Sequence, residues 1–193
     1  MQASTENLYK NITLNDVQLA AAYYPLLIDL AKHKLCLTYG ELVDQAKETY
    51  PDLEYVQNAI AVSTGRKLDV VRMFTNEREL PDVTSLIINK GQGECGSGFT
   101  DNFDPEAARK GVFSKDWSEV TTEFDVYIDI AQKNAIPRKR RKRPEALKLM
   151  STFYQENKNS YPISVKNMRE EIIELLIEGF SEKESFDQVA GNA

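Results

Sequence analysis

Apolar positions fall in helical register along most of this chain. Val17, Ala20, Ala21, Tyr24, Leu27, Ile28 and Ala31 recur at three- and four-residue spacing, which predicts a helix ending near His33 with Asn15 or Asp16 as its cap. Pro25 falls inside it and is expected to kink or divide it. Thr38-Tyr39-Gly40-Glu41 has the T-x-x-E form of a capping box and opens a helix carrying Leu42, Val43 and Ala46, closed by Pro51. Two more helices are predicted over 53–62 and 66–78, joined by Ser63-Thr64-Gly65. The period then changes. Val83 to Ile88 is a short apolar run, followed by Asn89-Lys90 and by Gly91, Gly93, Gly96 and Gly98, the pattern of a strand, a glycine-rich turn and a second strand. Asp104-Pro105-Glu106 begins a short helix, and a longer one is expected over 120–133.

Beyond Pro144 the helical period resumes. Leu147, Met150, Phe153 and Tyr154 predict a helix from Glu145 to Lys158. Asn167 with Glu170 is the expected cap of the next, which carries Met168, Ile172, Leu175 and Leu176 and ends at Gly179. Ser181 and Glu184 form a second capping box, and the resulting helical hairpin is expected to dock on the body or on a partner. The prediction is a mainly α chain with a small β-hairpin: a winged-helix-like body over 1–134, a linker over 135–144 and a helical C-terminal module over 145–193.

Charge sharpens this division. Arg138, Lys139, Arg140, Arg141, Lys142 and Arg143 form an unbroken cationic run bracketed by Pro137 and Pro144. Proline on both sides discourages a helix through it, and adjacent like charges repel, so the run reads as an exposed linker. It suits phosphate contacts without base reading, and it has the form of a nuclear-import signal. The rest of the chain carries 18 basic and 30 acidic side chains, so any contact with DNA is expected to be local. With 41% hydrophobic residues the chain can build a core, and no apolar run approaches the roughly 18 residues of a membrane span, so no membrane partner is expected. Cys36 and Cys95 are read as free thiols in a cytoplasmic setting, or a nuclear one if the run acts in import.

Most catalytic chemistry lacks its parts. His33 is the only histidine, so a multi-histidine metal site is impossible, and a nucleophilic site with a histidine base has to be built around it. His33 and Cys36 are half of a zinc site with only Cys95 as a further soft ligand, and His33 is better read as a helix-end residue. Gly91, Gly93 and Gly96 match G-x-G-x-x-G, but no helix follows to present amides to a pyrophosphate, so they read as a turn. Asp82 with Lys90 lacks the second carboxylate of a metal-dependent nuclease, because Ile88 stands where that acid is needed. Trp117 is read as a packing anchor. No catalytic residue, metal or cofactor is expected.

Leu37-Thr38-Tyr39-Gly40-Glu41-Leu42 resembles the T-Y-G-E segment in the DNA-binding domain of O6-alkylguanine-DNA alkyltransferases and alkyltransferase-like proteins. The resemblance covers residues 36–99. It implies a recognition helix at Val56 to Ala61, a proline-led strand at Pro81-Asp82-Val83-Thr84 and a wing over Asn89 to Phe99. Where that family carries its reactive cysteine, histidine and arginine, this chain has Asp82, Val83 and Thr84. A carboxylate does not replace a thiolate as an alkyl acceptor, so alkyl transfer is not expected. The expectation is a non-enzymatic DNA-binding protein, a regulator or an accessory to DNA defence or repair. Thr38 and Tyr39 would meet phosphate at a helix start, Arg66 and Lys67 would serve from the neighbouring helix, Asn89 and Lys90 from the wing, and Arg138 to Arg143 from the linker. The alternative is an acidic adaptor or inhibitor that binds a protein partner, or a second copy, through its surface and residues 145–193.

Overall fold

Helix α1 (Leu14–His33) is the element around which the N-terminal part is built. Its cap is Thr13, one turn earlier in role than Asn15 or Asp16. The Asp16 amide donates to Thr13 Oγ1 at 3.2 Å and the Thr13 amide donates to Asp16 Oδ2 at 3.0 Å, so two orphaned donors are satisfied reciprocally. The helix runs through Pro25 undivided. Pro25 faces solvent while Tyr24 and Leu26 on either side are buried, and burial of that apolar length outweighs the local cost of about 3 kcal/mol for an interior proline.

The computed structural model describes residues 12–91, 93–96, 104–118, 120–135 and 138–190. They form two units divided between Ile136 and Pro137. In the first, α2 (Tyr39–Thr49), α3 (Glu54–Gln57), α4 (Thr64–Glu77), α5 (Pro105–Ser114) and α6 (Val120–Asn134) accompany α1. Tyr24 of α1 stacks on Phe124 of α6 at 3.7 Å between ring centroids and meets Phe74 of α4 edge-on at 5.7 Å, which ties three helices together. Trp117 is buried, and its indole N–H donates to the Val112 carbonyl at 2.9 Å, so it anchors packing as expected.

The chain is mainly helical, and its small β element differs from the expected hairpin. Strand β1 (Leu37–Thr38) pairs in parallel with β2 (Ile87–Ile88), Leu37 opposite Ile87 and Thr38 opposite Ile88. A parallel pair requires a crossover, here α2, α3 and α4, so the pairing is long-range where the hairpin would have been local. The first part of the expected strand, Val83–Leu86, is a 3-10 turn capped by Asp82, whose carboxylate accepts from the Thr84 amide at 2.9 Å. The second strand of the hairpin would fall on 97–103, outside the described residues. The helix expected over 53–62 is a single turn, α3, followed by a 3-10 turn at Ala61–Ser63, so the recognition helix placed at Val56 to Ala61 is interrupted. Gln57 accounts for the break. Its amide donates to the carbonyls of Lys47 and Tyr50 at the end of α2, which pins the turn there.

The second unit consists of α7 (Arg143–Asn157), a 3-10 turn at Ile163–Met168, α8 (Arg169–Ile177) and α9 (Glu182–Ala190). Ile173, Leu176, Phe180, Phe186 and Val189 form the centre of its core. Asn167 is not the cap of α8. It lies within the 3-10 turn, and Glu170 is drawn to Arg143 at 2.6 Å instead of reaching back to a cap. Gly179 does end α8: its φ is +97°, the Phe180 amide returns to the Leu175 carbonyl at 3.0 Å and the Gly179 amide to Leu176 at 3.1 Å. The Ser181 and Glu184 box then opens α9, with the Ser181 amide 2.8 Å from Glu184 Oε2. Among the described residues no helix is long and apolar enough to cross a membrane.

Thr38 caps α2 with the bonds its motif requires, its amide donating to Glu41 Oε2 at 2.7 Å and the Glu41 amide to Thr38 Oγ1 at 3.3 Å. Thr38→Ala is expected to destabilise the body by about 1 kcal/mol, read by chemical denaturation.

Candidate nucleic-acid interface

The parallel pair sets side by side two stretches that lie fifty residues apart in sequence. Thr38 is at once the end of β1 and the cap of α2, and β2 delivers Asn89 and Lys90 directly beyond its partner. Tyr39 therefore meets the glycine loop. The Gly96 amide bonds its phenol oxygen, and a Cβ on Gly96 would stand 3.4 Å from Tyr39 Oη and 3.6 Å from Asn89 Nδ2. Burial raises the Tyr39 phenol, with the adjacent Cys95 thiol adding to it, so the hydroxyl stays protonated. Lys90 is exposed and near enough to Glu41 to help hold that carboxyl low, after the two bonds from Thr38.

The loop is fixed at both ends. The Asn89 amide donates to the Glu94 carbonyl and the Gly93 amide to the Asn89 carbonyl, both at 2.8 Å, and Gly93 takes a φ of +66° that a side chain would strain. Arg109 of α5 then closes it with a two-pronged grip on Glu94, Nη1 and Nη2 each 2.8 Å from a carboxylate oxygen, while Nη1 also reaches the Ser85 carbonyl at 3.1 Å. This bond, together with the Cys95 amide, holds the Glu94 carboxyl down at about 2. Cys95 is buried against the same carbonyl, Sγ to Ser85 O at 3.3 Å, and burial followed by the Glu94 carboxylate pushes its thiol up to about 11. Cys36 is exposed. No spacing in the sequence points to Arg109, fifteen residues beyond its partner; a lone acid among glycines was the only signal for Glu94.

Several expected contacts are committed elsewhere. Lys67 is 1% exposed, with Nζ 2.9 Å from Ser63 Oγ and 3.6 Å from Asp16 Oδ1, which corrects its assignment to phosphate. Arg66 points to the same acid, Nη2 to Asp16 Oδ2 at 2.6 Å. Burial alone would raise Asp16, but Arg66, Lys67 and the Thr13 amide outweigh it and hold the carboxyl below its usual range. Thr38 gives both its amide and its hydroxyl to Glu41, at 2.7 and 2.8 Å, so a phosphate there would have to displace a carboxylate. Asp82, which the resemblance alone would set in the alkyl-acceptor position, is held by Arg72 Nε at 3.0 Å and by the Thr84 hydroxyl at 2.6 Å. It is a paired structural acid. Asn89 and Lys90 follow β2, with Lys90 exposed.

The cationic run is the largest departure. It is not a free linker, because two of its arginines are folded onto the second unit. The Arg141 amide donates to the Ile177 carbonyl at 2.9 Å, and its guanidinium Nη1 to Leu176 O and Phe180 O at 3.0 and 2.7 Å. It thereby caps the carbonyl end of α8, the negative end of the helix dipole. Arg138 lies over the Phe180 ring, 3.9 Å from its centroid, and reaches Glu184 at 3.3 Å. Arg143 pairs with Glu170. Lys139, Arg140 and Lys142 are exposed, with no ion pair among the described residues. Charged hydrogen bonds contribute about 1.5–3 kcal/mol each against about 0.5–1 for an exposed cation–π contact, so Arg141 is the principal anchor.

Among the described residues no three or more of histidine, cysteine, aspartate and glutamate gather where they would hold a metal. His33 sits at the end of α1, its Nδ1 2.9 Å from the Asp29 carbonyl. Gln92 and Ser97 to Phe99 of the expected wing lie outside the described residues.

Gly179 is required twice, by its positive φ and by the Lys139 carbonyl, which would be 2.7 Å from an added Cβ. Gly179→Ala is expected to destabilise the second unit by about 1–3 kcal/mol and to loosen the cationic segment, measured by thermal melting and amide exchange over 138–142. For Glu94 the sign follows from its lowered carboxyl: the stabilisation is present above its ordinary value of 4.5 and is lost as pH falls towards about 2. Glu94→Gln is thus expected to weaken the body at neutral pH and to converge with the parent protein as pH falls through that window. Alkylation of Cys95 should be faster in the variant at pH 7.

No protein family, curated protein or solved structure matches the chain, so its chemistry stands on the residues and geometry described above.

Proposed function

We propose that this is a non-enzymatic protein that binds duplex DNA. The observation that carries the reading is the edge at which β1 and β2 bring the start of α2 together with the clipped loop, leaving Asn89 beside Tyr39 and the exposed Lys90 near Glu41. A short helix start next to a fixed glycine loop with an outward cation is the working edge of a winged-helix-like reader, in line with the resemblance of residues 36–99 to alkyltransferase-like DNA-binding domains. Lys90 supplies a phosphate contact, and Asn89 and Tyr39 supply polar groups at the same edge. Asp82 is committed to Arg72, and among the described residues no cluster of acids, histidines or cysteines able to hold a metal gathers at the edge, which favours a binding role. A regulator or an accessory to DNA defence or repair is the class of role that follows. A cytoplasmic or nuclear setting suits it. Import through the cationic run would require Arg138 and Arg141 to leave the second unit, so the run is better suited to contact in place.

A second reading has its own support. In the body Arg66, Arg72, Arg78 and Arg109 are each paired with carboxylates, and the sequence of residues 1–136 carries 13 basic and 21 acidic side chains, a balance that suits an adaptor for a basic protein partner.

Fluorescence anisotropy with a labelled short duplex, titrated against salt, separates the two. Saturable binding at low salt is expected, and Lys90→Gln should flatten the plot of log K against log salt by about 0.9. If the protein does not bind duplex DNA at low salt, the adaptor reading takes its place.

A further inference from the structure

We infer that Lys139, Arg140 and Lys142 form a fixed phosphate-binding ridge on the second unit, and that Arg138 and Arg141 hold it in place without touching the ligand. The inference rests on the DNA-binding reading but concerns a site separate from the Lys90 edge. Six adjacent cations in a flexible tether would share phosphate contacts alike. Here they divide. The Arg141 backbone amide and guanidinium fasten the segment to the carbonyl end of α8, and Arg138 is stacked on Phe180. The Lys139 carbonyl crosses Gly179 so closely that only glycine fits beneath it. Arg138 and Arg141 are 16% and 25% exposed in their side chains, whereas Lys139, Arg140 and Lys142 all face solvent.

Among the described residues the side chains of these three exposed cations make no ion pair. Arg141 already satisfies the carbonyls at the end of α8, and Glu184 and Glu170 are taken by Arg138 and Arg143. A segment held by its neighbours on either side presents its charges with less conformational freedom left to lose, which lowers the cost of binding. Two lysines and one arginine on a short extended segment match a row of phosphates better than a single carboxylate or a shaped pocket does. They read no base edge, so the ridge adds affinity without sequence preference.

The test uses the full chain and the same labelled duplex. The triple variant Lys139→Gln, Arg140→Gln, Lys142→Gln should lower the salt slope by about 2.7, weaken different sequences equally and leave the thermal melt unchanged. Arg141→Gln should lower the melt of the second unit. The ridge is overturned if the triple variant keeps the parent slope while Lys90→Gln lowers it, an outcome that leaves the DNA reading standing. Equal competition by polyglutamate at the same charge concentration would also overturn it, in favour of an acidic protein ligand. If the parent protein fails to bind duplex at all, both the ridge and the DNA reading fall.

Discussion

Asp16 is buried at the start of α1, and its carboxylate is held by Arg66 and Lys67 from the start of α4 and by the Thr13 amide. Removing one member of such a buried cluster leaves an uncompensated charge, at a cost of about 3–5 kcal/mol. The same demand recurs through the body. Arg72 answers Asp82, and Arg109 answers Glu94. A charge taken out of water has to find a partner, and in this chain that requirement joins helices to one another, while the half-exposed Glu94 ties the glycine loop to α5 through the two-pronged geometry of its pair with Arg109. It also decides how much positive charge is left for anything outside the molecule.

Part of that remainder is gathered in two places. In the body, the described cation at the loop edge is Lys90. In the second unit, Lys139, Arg140 and Lys142 stand clear while the arginines around them are bound to carbonyls, a ring and carboxylates. An acidic protein with one cluster of outward cations held in place differs from one with a diffuse basic face. Its attraction to a polyanion is local, and its acidic surroundings oppose contact elsewhere. The structural arginines and the proposed binding residues are thus two shares of one limited set.

The parallel pair has a comparable effect on a smaller scale. Two residues on each side suffice to place Tyr39 against the loop, because Thr38 belongs both to β1 and to the capping box. Arg72 and Thr84 around Asp82 show that this acid is spent on structure.

Local patterns determined much of this protein by themselves. The Thr38 and Ser181 capping boxes, the proline-led α5, the glycine end of α8 and the burial of Trp117 were all legible, because each depends on residues within a turn or two of one another. The mainly helical class followed from the same periodicity. What lay beyond the sequence were long-range pairings. Nothing near Ile87 and Ile88 names Leu37 and Thr38 as their partners, so a local hairpin was the natural expectation. Nor does spacing tell Arg66 and Lys67, buried on Asp16, from cations free to meet phosphate. The cationic run shows the division most plainly. Its charge was evident from composition, but only the packing of α8 against the segment decided that Arg138 and Arg141 turn inward, since the carbonyls and the Phe180 ring that hold them come from residues some forty positions away.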